Sequence, residues 1–222
     1  KGSDLALQVH FHPSGKEEAD QSQVGIYFTK EPAKRIITGI ALFNTNIFIP
    51  PGEQNYRMTE EVTLPCDVNA MGIWPHMHLI GREMKVTAVL PDGTPVPMLW
   101  VKDWDFNWQD GYEYREPVKL PKGTKLKLEA RYDNSQGNPQ NPNNPPAMVH
   151  FGEETTDEMC LCTIVVYPDK PNEMSKLFTL PHSRLGAALG GGTLPDNGGK
   201  IRELLKKFNN KPEKKTGVGT RQ

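Results

Sequence analysis

Residues 70–90 read AMGIWPHMHLIGREMKVTAVL and close on the turn Pro91-Asp92-Gly93. Two short β-type runs, 70–79 and 84–90, fit this stretch, and neither carries the apolar period of a helix. Within the first run His76 and His78 stand two residues apart. On an extended strand positions i and i+2 share a face, so both imidazoles of such a pair can converge on one point.

Working outward, strand-like runs dominate. Upstream lie 5–12 (LALQVHFH), 24–29 (VGIYFT), 36–49 (IITGIALFNTNIFI, ending at Pro50-Pro51-Gly52) and 61–65. Downstream lie 97–102, 112–120, 125–132, 147–151 and 159–167, with Pro121-Lys122-Gly123 as a further turn signal. Strands at this spacing, with no long helix, predict an all-β antiparallel sandwich of the jelly-roll kind. The stretch 133–146 (DNSQGNPQNPNNPP) is a long loop without apolar content, a type that is usually functional or disordered. Beyond Tyr167 the chain turns Pro- and Gly-rich, including Gly190-Gly191-Gly192. Then 201–208 (IRELLKKF) places Ile201, Leu204, Leu205 and Phe208 on one helical face, with Asp196 or Asn197 as cap. PDNGGKIREL, at 195–204, lacks the alternating oxygen ligands of a calcium loop.

The chain has 222 residues, 36% of them hydrophobic, with 20 Gly and 20 Pro, enough for a sizeable core rich in turns. Its 26 basic and 27 acidic residues give a net charge of −1, and no electrostatic reason to expect nucleic acid or an anionic membrane as partner. No apolar run approaches the roughly 18–20 residues of a membrane-spanning helix. Three cysteines, Cys66, Cys160 and Cys162, cannot all pair within the chain. Cys160 and Cys162 would share a strand face, where a mutual disulfide is badly placed, so pairing of Cys66 with one of them or three free thiols both stand.

Of six histidines, four form His-x-His pairs: His10/His12 and His76/His78. Such a pair in a β-protein, taken alone, is more often two partly buried, satisfied histidines than a metal site. Met159, in TTDEMC (155–160), taken alone reads as core packing. The acidic residues Glu153-Glu154 and Asp157-Glu158 read as a solvated turn. Trp104-Asp105-Phe106-Asn107-Trp108 reads as core and loop packing, or as the lining of a substrate face.

The ordered set LQVHFH (7–12), IPPGE (49–53), HMHLIGRE (76–83) and TTDEMC (155–160) resembles the copper type II, ascorbate-dependent monooxygenases, over about residues 5–167. The resemblance implies two jelly-roll domains, each holding one copper across a cleft. It implies that His76, His78 and Met159 are the catalytic ligands of the oxygen-activating copper, and that His10 is one ligand of the electron-transferring copper. His12 receives no role. His150, nine residues before Met159, matches a family histidine and suits hydrogen bonding behind the ligands rather than ligation. A soft thioether beside two imidazoles suits Cu(I)/Cu(II) cycling, whereas zinc has no redox chemistry to offer. Cofactors and partners follow from the resemblance: copper, ascorbate or another one-electron donor, dioxygen, and a small-molecule or peptide-like substrate. An extracytoplasmic (periplasmic or secreted) location follows likewise.

The family's His-His pair is missing, so the chain is expected to be part of a larger enzyme whose N-terminal half of the core acts as partner. Residues 1–32 would be the remnant of the first sandwich, 33–168 the second copper domain, and 169–222 a linker, short helix and tail. Trp74 stands where the peptide-hydroxylating branch has a carboxylate-binding arginine, and Leu161 where it has an asparagine, so a peptidylglycine substrate is not expected. The family's disulfide partner of the DEMC cysteine falls near Tyr132, which leaves Cys160 free or paired differently. A binding module for carbohydrate or protein, and a copper-storage or transfer protein, are the rival readings; loss of Met159 would leave the binding module indifferent.

Overall fold

The computed structural model describes residues 7, 9, 11, 14–28, 30, 31 and 35–180. The chain divides into two units, Lys1–Lys34 and Arg35–Gln222. In the first, the described residues 24–28 enter no sheet, so the strand expected over 24–29 is not formed at those positions. Pairing, rather than β-propensity, makes a strand, and an unpaired run has no ladder to hold it. Most of the run 5–12, including His10 and His12, and the helix expected over 201–208 lie outside the described residues.

The second unit is an all-β sandwich. Ten strands follow in order: β1 (Thr38–Asn44), β2 (Phe48–Ile49), β3 (Tyr56–Thr63), β4 (Val68–His76), β5 (Gly81–Val89), β6 (Pro95–Val101), β7 (Tyr112–Leu120), β8 (Lys125–Tyr132), β9 (Val149–His150) and β10 (Cys160–Pro168). One four-stranded sheet has the order β1-β10-β4-β7, the other β3-β8-β5-β6, and β2 pairs with β9 apart from both. Every ladder is antiparallel. Apart from the β5–β6 hairpin and the β2–β9 pair, the chain passes back and forth between the two sheets, which is the jelly-roll winding. The only helical segments among the described residues are a 3-10 turn, Pro171–Glu173, and α1, Met174–Leu177. The sequence alone read this region as a polar linker. Leu177 is nonetheless fully buried against the core.

Alternation drives the assembly. In β8 Leu126, Leu128, Ala130 and Tyr132 point inward while Lys125, Lys127 and Glu129 face solvent. Met84, Val86 and Ala88 do the same in β5. They meet Ile40 and Leu42 of β1 and Cys160, Cys162, Ile164 and Val166 of β10 in one core. Each such side chain contributes about 1.5–3 kcal/mol on burial. All three cysteines are buried and free.

One irregularity decides where the histidines point. Val68 and Ala70 of β4 face the core, and strict alternation would send Trp74 and His76 inward with them. A register shift between Ala70 and Gly72 resets the phase, leaving Met71 exposed and Ile73 inside. Trp74 and His76 therefore emerge on the outer face of the sheet. Glycine is needed at position 72 because a Cβ there would lie 2.8 Å from the Tyr112 carbonyl oxygen. The loop 133–146 is ordered by polar groups instead of apolar ones. The amide nitrogen of buried Asn134 donates to the carbonyls of Ile49, Pro50 and Ala147 at 3.0, 3.0 and 2.8 Å, and Asn141 donates to Asn134 at 2.9 Å.

Candidate metal centre

His76 ends β4, and its register partner on β10 is Leu161. Past the strand ends, Oε2 of Glu158 accepts the backbone N–H groups of both His78 and Met159, at 2.8 and 3.1 Å, so these two backbones lie close together. Leu161 faces the outer side of β10, where it packs with Ala41 and Phe43, while Cys160 and Cys162 face the inner one. Sheet pairing and these hydrogen bonds thus bring the backbones of His76, His78 and Met159 to one end of the sheet, from positions some 80 apart. The pair is not wholly on a strand, however: His78 lies just past the strand end. The two imidazole centroids are 5.1 Å apart with planes at 83°.

Each ring is fixed through its Nδ1. That of His76 donates to the Gln109 side-chain oxygen at 2.6 Å, and that of His78 donates to the Asp157 carbonyl at 3.0 Å. Nδ1–H donation makes Nε2 the lone-pair nitrogen of each neutral ring, the tautomer a metal ligand requires. Burial holds the His78 pKa below the usual histidine value, against the Asp157 carbonyl, which raises it. The neutral, ligating form is favoured.

The loop 102–111 forms one wall. Trp104 is buried; its indole N–H donates to the His78 carbonyl and its backbone N–H to that of Arg82, both at 3.0 Å. Phe106 stands edge-on to His78 at 6.2 Å. Gln109 donates to the Phe106 carbonyl at 2.8 Å, which orients its oxygen toward His76. Gly111 closes the loop under Trp74, where a Cβ would sit 2.0 Å from the indole nitrogen. The aromatic cluster is therefore a support of the site through Trp104 and Phe106, while Trp108 is mostly exposed. On the other flank Ala41, Phe43 and Leu161 make a small apolar floor, and Phe43 meets Phe151 edge-on at 5.5 Å.

The acidic turn before Met159 departs from expectation. Glu158 is fully buried, not solvated. Its two oxygens accept the backbone N–H groups of His78 at 2.8 Å, Ile80 at 2.9 Å and Met159 at 3.1 Å. Burial pushes this carboxyl up to about 8, the backbone amides pulling the other way. The placement follows the inward side of β10: Cys160 and Cys162 face the core, and Glu158 lies two residues before Cys160. Met159 itself is half-buried, and its carbonyl accepts the Tyr132 hydroxyl at 2.9 Å. Tyr132 also hydrogen-bonds the Cys160 thiol, and burial pushes that thiol up to about 12. A tyrosine contact thus stands where the resemblance implies a disulfide. His150 packs its ring edge-on against Phe48 at 5.5 Å, and its carbonyl accepts the Glu158 N–H at 3.0 Å. Sequence reasoning missed Glu158, Tyr132 and Gln109; only Glu158, adjacent to Met159 and of opposite strand parity, left a signal.

Among the described residues no three His, Cys, Asp or Glu side chains gather as a metal site. Among the same residues no helix is long and apolar enough to cross a membrane.

Residues 35–180 match the family model described as copper type II ascorbate-dependent monooxygenase, C-terminal domain. Curated relatives include DBH-like monooxygenase protein 1 from Homo sapiens, 26% identical over 183 residues, covering 74% of this chain and 28% of the relative. The Mus musculus protein of that name is 25% identical over 184 residues with the same coverage, and the Gallus gallus one 25% over 183 residues. The chain spans about 28% of the length of these relatives. With the family model covering most of a jelly-roll sandwich, the chain belongs to the copper type II ascorbate-dependent monooxygenase family and carries its C-terminal domain.

Proposed function

We propose that this chain is the oxygen-activating copper module of a monooxygenase, with His76, His78 and Met159 as ligands. The observation that carries the reading is the pairing of Nδ1 commitments: both imidazoles donate through Nδ1, to Gln109 and to Asp157, while the His78 and Met159 backbones share the Glu158 carboxyl. Two imidazoles and one thioether fit copper, because sulfur stabilises Cu(I) while nitrogen still accommodates Cu(II). Copper, when bound, supplies one-electron redox chemistry and an open position for dioxygen. The protein residues orient the rings, set their tautomers, and hold the thioether from a fixed backbone.

The substrate in this reading is a small-molecule or peptide-like compound hydroxylated at a C–H bond. Electrons come from ascorbate or a similar one-electron donor. Trp74 lies two residues before His76 on the same face and is 42% exposed. An indole there offers an apolar surface and no clamp for a carboxylate. His10 is proposed as the remaining ligand of an electron-transferring copper, residues 1–32 as part of the partner sandwich, 33–168 as the copper domain proper, and 169–222 as linker and tail. The site is proposed to work outside the cytoplasm.

An anaerobic Cu(I) competition titration of the purified chain tests the reading. One tight copper per chain, weakened in His76→Ala, in His78→Ala and in Met159→Ile, supports it. Absence of tight copper refutes it in favour of a binding module for carbohydrate or protein. Copper-storage or transfer chemistry would keep the metal, yet show no reductant-dependent oxygen consumption once the N-terminal half of the core is supplied.

A further inference from the structure

We propose that Glu158 is a positioning residue for the metal site, its buried carboxyl tying the Met159 backbone and the His78 turn into one unit that presets the thioether against the imidazoles. The inference rests on the copper reading and adds to it a residue that never touches the metal.

Three observations converge. Glu158 is fully buried, and a polar group there is costly unless its hydrogen bonds are made. Its partners are backbone amides rather than a neighbouring cation: Oε2 accepts from both His78 and Met159, and Oε1 from Ile80. One oxygen atom thus spans the two segments that bear the ligands, 80 residues apart in sequence. The Tyr132 hydroxyl completes the hold by donating to the carbonyl of the same methionine. Both polar backbone groups of Met159 are therefore held by buried side chains.

Ligand chemistry gives this arrangement its purpose. Imidazoles are stiff, and their second nitrogens are anchored. A methionine side chain has three rotatable bonds and a weakly binding sulfur, so ordering it costs entropy that a soft ligand recovers poorly. Fixing its backbone before the metal arrives removes part of that cost. An apolar residue would fill the same space in the core without desolvating a carboxyl. The polar group is explained by the three amides that need an acceptor where the ligand segments meet.

The test compares the wild-type chain with Glu158→Ala and Glu158→Gln. Backbone amide exchange is measured on the metal-free protein, and X-ray absorption and Cu(I) affinity on the loaded one. In Glu158→Ala the His78, Ile80 and Met159 amides should exchange faster while β5 and β8 stay protected. The sulfur scatterer should be lost and Cu(I) affinity should fall about 10–100-fold. Glu158→Gln keeps one oxygen for the shared His78 and Met159 position and turns its NH2 toward Ile80. Only the Ile80 amide should lose protection, and the sulfur should remain. This variant carries the test if Glu158→Ala fails to fold. Unchanged exchange at all three amides in Glu158→Gln, or a retained sulfur in folded Glu158→Ala, overturns the positioning role and leaves the copper reading intact. A wild-type chain without sulfur-ligated copper overturns both.

Discussion

Tyr132→Phe deletes one oxygen from the base of the site and nothing else. The Tyr132 ring is fully buried, and its hydroxyl donates to the Met159 carbonyl at 2.9 Å. Phenylalanine fills the same volume, so no cavity term enters. The cost is that of leaving a carbonyl without its donor at a site shielded from water, about 1–3 kcal/mol. For a domain of this size that corresponds to a fall in Tm of roughly 3–10 °C. Urea unfolding at pH 7, on the metal-free chain, should show a lower midpoint with an unchanged m-value. Because the hydroxyl also contacts the Cys160 thiol, the substitution is repeated in a Cys160→Ala background. A loss of the same size there assigns the energy to the Met159 carbonyl. A loss below about 0.5 kcal/mol, or one that vanishes in the Cys160→Ala background, refutes the claim that Tyr132 holds the methionine.

Three further expectations concern the surroundings of the site. Glu158 has its folded-state pKa raised from 4.5 to about 8 by burial, so the folded chain keeps a proton that the unfolded chain releases. Its contribution to stability is full below about 4.5 and is lost as pH rises toward 8, by at most about 1.4 kcal/mol per pH unit. His78, lowered by burial, works in the opposite sense below pH 6.5. The comparison of wild type with Glu158→Gln in urea at pH 5–8 isolates the first effect: the variant should lack the downward slope. Gln109→Ala frees the His76 Nδ1 and should weaken Cu(I) about tenfold by competition titration, with little change in Tm because Gln109 is exposed. Gly111→Ala places a carbon 2.0 Å from the Trp74 indole nitrogen; it should cost about 1–3 kcal/mol by overpacking and change the tryptophan fluorescence of the folded state.

The jelly roll was legible because its strands carry their own parity. Leu126, Leu128, Ala130 and Tyr132 announce a one-sided strand, and the apolar run 159–167 announces a central one. That His76 stands on one face of β4 was legible for the same reason, though β4 ends there and His78 lies beyond it. What made that face the outer one was not: the bulge at Gly72 depends on how β7 approaches β4, a tertiary contact that no local pattern encodes. The run 24–29 shows the converse, since β-type residues predict a strand only where a neighbour supplies the ladder. Glu158 was misread because acidic residues in a turn are solvated far more often than buried, and its three amide donors come from the turn 80 residues upstream and from its own neighbour. Gln109 was invisible, since only the fold of the loop 102–111 carries it to His76.

The most direct measurement is X-ray absorption at the copper edge of the Cu(I)-loaded chain, with Met159→Ile beside it. Two nitrogen and one sulfur scatterer are expected in the wild type, with the sulfur lost in the variant. Copper bound without sulfur, or a sulfur that survives Met159→Ile, contradicts the assignment of His76, His78 and Met159 as one site.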